Sequence, residues 1–323
     1  MKHDTFRKVL SLAASLAVLF ILTAGPAAAE AAKFQEKFEK TVPLPKDGRV
    51  DISNISGEIV VTSWAQGDVK IEAVKYSDAS SEAKAKENAA KVTIEVTTEG
   101  NVVRIETKYP KGGGMFGGDD VDVSVEYKVI VPQTAGLKAK NISGTIVAEG
   151  IGGPADLDAV SGDVMLRQAA RGAECNSVSG DVTVTGVTGA VFLKSVSGDV
   201  KATEVKGSIE AESVSGGLEL TGVSEASVVR AKALSGDIVY RGEINKSGTY
   251  TLKSHSGNVE LYLPADAAFG FEVDTFSGSI NSEFPVSTED FRTSAKELRG
   301  VVNGGGAAVK LSSFSGDISL KKI

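Results

Sequence analysis

The sequence predicts an all-β protein, a parallel β-solenoid (β-helix or β-roll) with 18–21-residue coils, preceded by a small β-rich cap containing one short helix. Three observations predict it. Val178-Ser179-Gly180-Asp181-Val182 recurs unchanged at Val160 to Val164 and at Val196 to Val200, and as variants beginning at Ile55, Ile142, Val214, Leu234, His255, Phe276 and Phe314. The tripeptide Ser-Gly-X starts at residues 143, 161, 179, 197 and 215, a constant step of 18, then at 235, 256 and 277, and last at 315. Apolar residues keep the same beat, in columns such as Ile146, Val164, Val182, Val200, Leu218 and Ile151, Ala169, Val187, Val205, Val223.

A period of this kind decides the architecture before any local structure is read. An α-helix needs apolar recurrence near 3.6 residues and cannot keep the beat. An antiparallel meander has no reason to repeat residue types every 18 positions. Stacked parallel coils have one, because each residue lies over its counterpart in the coil below. Within one coil the predicted inward residues are Val182, Val184, Val187, Val191, Leu193 and Val196, with Val160, Val178, Val196 and Val214 as a third inward column. Glycines that accept positive φ turn the corners. Nine steps at about 4.8 Å give a rod roughly 43 Å long.

The elements follow in order. Residues 1–29 have the form of an export signal: Lys2, Arg7 and Lys8, an apolar run from Val9 to Ala24, and Ala27-Ala28-Ala29 before Glu30. Its removal takes away three basic residues and one acidic one, moving net charge from −7 to −9. That balance opposes nonspecific binding to nucleic acid and anionic lipid. No later stretch is apolar enough to span a bilayer. Residues 30–135 form the predicted cap. Phe34 to Lys46 reads as an edge strand ending in a bend, and Arg49 to Ser63 as strand, turn, strand, with Ile52, Ile55, Ile59 and Val61 inward and Trp64 closing it. Residues 80–91 are rich in Ala, Lys and Glu behind two serines and predict the helix. Val92 to Thr98 and Val102 to Lys108 alternate around Glu99-Gly100-Asn101 as a hairpin, and Val121 to Val131 alternates again before Pro132. Residues 136–323 carry the coils. The final Ser-Gly interval of 38 fits two longer coils with one turn lost, and the irregular 281–308 segment, with Phe284, Pro285 and Phe291, is expected to help close the far end.

The exported start, Ile55-Ser56-Gly57-Glu58-Ile59 with Val60 to Trp64, the Val129-Ile130-Val131-Pro132 stop and the V-S-G-D-V coils together resemble the bacterial "putative adhesin" family of β-strand-repeat proteins. The resemblance covers nearly all of the chain after residue 29. It implies a parallel β-solenoid in a secreted or envelope protein with no established catalytic residues, and some relatives are linked to envelope stress responses.

The candidate chemistry is sparse. Asp163, Asp181, Asp199, Asp237 and Asp317 share one turn position and are the candidate metal ligands. Calcium takes six to eight oxygens, and one Asp per coil supplies few, so bonding of the turn backbone is the competing reading. His255 stands where the column otherwise holds Val, Leu or Phe and is expected to pack, partly buried. Cys175 shares a column with Leu157 and Leu193 and reads as a small buried hydrophobe; as the sole cysteine it can make no intrachain disulfide. Gly112 to Gly117 fits G-x-G-x-x-G but leads into Asp119-Asp120 and a strand rather than a helix, so it reads as a loop. Asn54, Asn141 and Asn245 head N-x-S sequons, the first two inside an N-I-S-G turn. The outward positions, for example Thr183, Thr185, Lys194, Lys201 and Thr203, would form polar faces.

The expectation is therefore an exported, non-catalytic scaffold or binding surface at the cell envelope, without cofactor. Its partner would be an envelope or extracellular protein or glycan, and not nucleic acid. The alternatives are a carbohydrate-active β-helix enzyme and a calcium-stabilised repeat protein.

Overall fold

Two strands and one tight corner make up each rung of the chain, and the rungs stack in parallel. The computed structural model describes residues 32–110, 121–285 and 296–323; the signal-like segment 1–29, the Gly112–Gly117 loop with Asp119 and Asp120, and Phe291 lie outside them. Val191–Ser197 runs into the corner at Gly198-Asp199, and Val200–Lys206 leaves it. All strands that enter such corners belong to one 13-stranded sheet, here the leading sheet, and all that leave belong to a second, the trailing sheet. Register repeats without slippage along most of the stack: Ile59, Ile146, Val164, Val182, Val200, Leu218, Ile238, Val259 and Ile318 pair in succession. The two sheets enclose one continuous apolar core.

Local chemistry explains the rung. Val182 and Val184 point inward at strand spacing, but Val187 comes three residues later because Gly186 lies at φ 69 and inserts a kink. Gly150, Gln168, Glu204 and Gly222 repeat that left-handed conformation at the same position in neighbouring rungs. The corner glycine has a different reason. A Cβ on Gly180 would lie 2.3 Å from the Gly162 carbonyl oxygen of the rung below, and Gly198, Gly216 and Gly257 face the same obstruction. Close stacking of backbone on backbone fixes glycine there.

One predicted column is reversed. Val160, Val178, Val196 and Val214 are exposed, and so is Ile55. Strand alternation is the cause: Ala173, Cys175 and Ser177 face the core, so Val178 must face out. The inward place belongs to hydroxyls. Ser177, Ser195, Ser213, Ser254 and Ser313 are buried, and each donates to a corner glycine carbonyl of an adjacent rung, at 2.9–3.3 Å. Asn141 does the same toward Gly57 at 2.7 Å, and Asn54 bonds the Val125 carbonyl at 2.9 Å. Both sequon asparagines near the corner are buried structural groups.

The stack departs from chain order at both ends. Residues 49–64 form a rung pairing with Gly136–Ser143 and Ile146–Ile151 on one side, and with Val102–Lys108 and Val123–Pro132 on the other. The first rung in sequence is thus the second in space. At the far end Ala307–Ser315 and Ile318–Lys322 slot between the rung at 249–263 and the rung at 269–282. The interval of 38 therefore does not hold two coils with a lost turn: Glu297–Val302 folds back antiparallel on Phe269–Ser277, and the chain then returns to fill a gap it had left.

Antiparallel strands cover the open edges. Ala32–Pro43 and Asp68–Ala79 close the trailing sheet, and Thr93–Glu99 closes the leading one. The helix Glu82–Lys91 begins at Ser81, whose hydroxyl accepts from the Lys84 amide, and it buries Ala85 and Ala89. At the other end Phe284 is buried edge-to-face against Phe269, centroids 5.3 Å apart. No helix among the described residues is long and apolar enough to cross a membrane.

Candidate binding surface

The aspartates of the repeat do come together, in a single file along the corner. Asp163 Oδ1 accepts from the Asp181 amide at 2.9 Å, Asp181 Oδ1 from the Asp199 amide at 2.8 Å, and Asp199 Oδ1 from the Gly217 amide at 2.7 Å. Asp237 bonds Asn258, Asn258 bonds Asp317, and Asp317 bonds Ser279 in the same way. Each side chain satisfies an amide of the neighbouring rung where the strand ladder is interrupted. The Ser279 amide and hydroxyl hold the Asp317 carboxyl below the usual carboxylate range. Among the described residues no three His, Cys, Asp or Glu side chains converge as a metal ion would need.

His255 is exposed rather than partly buried. It stacks on Phe314 with centroids 4.8 Å apart, and Phe314 stacks on Phe276 at 4.8 Å. The reason is the strand parity that turns Val178 outward. Cys175 lies in register between Leu157 and Leu193, fully buried, and burial pushes its thiol pKa far up. Such a thiol carries no nucleophilic thiolate.

The outer face of the trailing sheet carries a groove. Thr183, Thr185, Lys201 and Thr203 belong to that face, whereas Lys194 stands on the leading sheet. The groove, of about 570 Å³, crosses five successive rungs of this face, lined by Asp181, Thr183, Lys201, Glu219, Val239, Glu260 and Tyr262 among others. At one end the Arg241 guanidinium lies 3.9 Å from the Tyr262 ring centroid. Tyr262 donates its hydroxyl proton to Glu260 at 2.7 Å, and Lys321 reaches both Glu260, at 3.0 Å, and the Tyr262 oxygen, at 3.1 Å. The Tyr262 hydroxyl, seconded by Lys321, holds the Glu260 carboxyl below its ordinary value.

This cluster is absent from the sequence-based candidates. Tyr262, Arg241 and Lys321 are far apart in the chain and meet only because Ile238–Gly242, Val259–Leu263 and Ile318–Lys322 are adjacent strands. The signal available in sequence was the register itself, which places Arg241 and Tyr262 at one offset from their corners. Chemically the groove offers an aromatic ring, fixed charges and the Thr183 hydroxyl along the direction of the rod.

A family model described as Toastrack DUF4097 matches residues 50–321. No curated protein matches the chain. Among solved structures, a "putative adhesin" from Bacteroides fragilis NCTC 9343 is 14% identical, with 89% of this chain and 97% of that one covered and a TM-score of 0.39. A "putative adhesin" from Parabacteroides distasonis ATCC 8503 is 10% identical, with 89% and 97% covered and a TM-score of 0.43.

Proposed function

The chain belongs to the Toastrack DUF4097 family, and from that premise we propose that it is an exported, non-catalytic binding scaffold at the cell envelope whose ligand is an extended glycan or protein segment. The observation that carries this reading is the groove over five rungs of the trailing sheet, ending at Tyr262. A regular stack offers a ligand the same spacing rung after rung, which suits a polymer better than a compact metabolite. Five carboxylates, Asp181, Asp199, Glu219, Asp237 and Glu260, outnumber Lys201 in the lining and Arg241 and Lys321 at its Tyr262 end, so strongly anionic polymers are disfavoured. In this reading residues 1–29 are removed on export, residues 30–135 contribute one end of the rod, and residues 136–323 carry the coils.

The enzymatic alternative fits the groove less well. Glycoside hydrolysis needs a carboxylic acid kept protonated by a raised pKa. Glu260, the groove carboxylate with most partners, is pushed the other way. Calcium has no required place in this reading, since the corner carboxylates already serve the backbone.

The test is a pull-down of envelope polymers and cells by the purified protein, beside a Tyr262→Ala variant and a turnover screen on a polysaccharide panel. The expected result is retention by a neutral glycan or a protein fraction, about tenfold weaker for Tyr262→Ala, without turnover. Absence of binding to every fraction, or release of sugar products, would sink the proposal.

A further inference from the structure

The strand that covers one end of the trailing sheet has an uncovered edge of its own. Ala32–Pro43 lies outermost in that sheet, paired antiparallel to Asp68–Ala79 on one side and to no strand of the described residues on the other. Its backbone direction follows from the neighbouring ladders. The Asp78 amide bonds the Asp122 carbonyl and the Leu44 amide bonds the Gly67 carbonyl, so the even-numbered residues of Ala32–Pro43 turn their backbone toward Asp68–Ala79. The amides and carbonyls of Lys33, Gln35, Lys37, Glu39 and Thr41 therefore point at the open edge. Pro43, whose missing amide would point the same way, ends the run.

An open edge of this length is a template for another strand, and charged side chains are a common guard against it. The charges here are arranged for a particular strand. Counted outward from Phe38, Lys37 is answered by Glu39, Glu36 by Lys40, and Phe34 by Val42. Glu36 and Lys40 share the core side of the strand with Phe38 and are engaged, Glu36 by Lys75 at 3.4 Å and Lys40 by the Val96 carbonyl at 3.4 Å. Lys37 and Glu39 are exposed on the other side and hold no salt bridge among the described residues. Within the chain Glu39 stands directly opposite Glu72, a like charge, so a base arriving at the open edge would relieve it.

We propose that two copies of this chain join by this edge, Ala32–Pro43 antiparallel to its counterpart, with the two-fold axis passing through the pair of Phe38 residues. In that register Lys37 of each copy faces Glu39 of the other, Glu36 faces Lys40, and Phe34 faces Val42. The charges select it: an axis on Glu36, Lys37, Glu39 or Lys40 would set that residue against its own copy. The backbone agrees, since an axis at an even-numbered residue lets the outward amides and carbonyls of the odd-numbered ones meet in about ten ladder bonds. A shared strip of about 40 by 10 Å buries about 800 Å² in all, the scale of a transient interface, so dissociation in roughly the tens of micromolar is expected. The axis stands normal to the sheet, which keeps both outer faces on one side. Each groove begins six strands in from the edge and stays open, so the pair presents two grooves on one continuous face. The inference stands apart from the proposed function, because it concerns a different surface and a different partner.

The experiment is sedimentation equilibrium on the purified protein from micromolar to submillimolar concentration. Wild type is expected to pass from the mass of one chain to the mass of two. Lys37→Glu and Glu39→Lys each set like charges face to face on both sides of the axis and are each expected to raise dissociation at least tenfold, with unchanged far-ultraviolet spectra. Mixing the two variants, or combining both changes in one chain, makes every facing pair opposite again and is expected to restore association. A wild type that stays a single chain throughout would overturn the proposal and leave the charges as guards of the edge. Single variants that dimerise like wild type, or a mixture that does not reassociate, would overturn it as well. Hydrogen exchange on wild type needs no variant to fold: the amides of Gln35, Lys37 and Glu39 are expected to gain protection as concentration rises, while that of Phe38, already paired, does not, and an edge whose protection ignores concentration would refute the pairing. A single chain that still retains envelope polymers would remove the dimer and leave the proposed function untouched, and a dimer that retains nothing would do the reverse.

Discussion

At the scale of the residue, neighbouring positions of one rung have separate jobs. Gly180 is set by contact with the Gly162 carbonyl, whereas Gly186 is set by its φ of 69, and a Cβ there would meet only Gln168 at ordinary van der Waals distance. The two should therefore respond differently to the same change. Gly180→Ala is expected to cost roughly 3 kcal/mol in urea unfolding, because backbone must move, and Gly186→Ala about 1 kcal/mol from conformation alone. Equal costs would refute the distinction. The neighbouring pair Ser195 and Val196 makes a sharper case, since hydropathy and structure assign them opposite sides. Ser195→Ala removes the donor to the Gly180 carbonyl and is expected to cost about 1 kcal/mol, while Val196→Ser changes monomer stability by less than about 0.5 kcal/mol. Chemical denaturation would read both.

At the scale of the element, the informative strands are the ones out of order. Ala307–Ser315 separates Thr249–Ser256 from Phe269–Ser277, so the last strands in sequence join earlier ones to the stack. Deleting residues 303–323 should leave Phe269–Ser277 with only Glu297–Val302 as a partner. Its amides are then expected to lose protection from hydrogen exchange, while those of Val228–Ser235 keep theirs. Uniform loss across the rod would show instead that the coils unfold as one unit. The same inverted order at the beginning, where residues 49–64 sit inside the rung made by residues 102–132, suggests how both ends gain a cover: the chain goes past, turns back antiparallel, and fills in.

At the scale of the whole molecule, two 13-stranded sheets wrap one core. Stability comes from stacking repeated many times, with buried apolar columns inside and amide caps from Asp and Asn at the corner. Because those caps use protein atoms alone, thermal unfolding is expected at the same temperature with calcium as with chelator, followed by circular dichroism. A marked fall on chelation would restore the calcium-stabilised reading.

How much was legible follows from what each scale requires. The period of 18, the corner glycines and the aspartate file were readable because stacked rungs demand like residues at like places. The outward valines were misread because apolar character was taken for burial. The inward hydroxyl of Ser177 hides from hydropathy, since its hydrogen bond to Gly162 is what makes burial tolerable. The Tyr262 cluster and the order of the end rungs were not readable at all. Any rung can pair with any other of matching shape, so sequence position does not say which strands become neighbours. By itself, then, the sequence determined the parallel solenoid and the composition of its corner, because repetition at fixed spacing permits few other folds. Only the tertiary structure decided which side of each strand faces water and which distant residues share a surface. Those depend on strand parity and on the order of stacking, and neither is written in residue type.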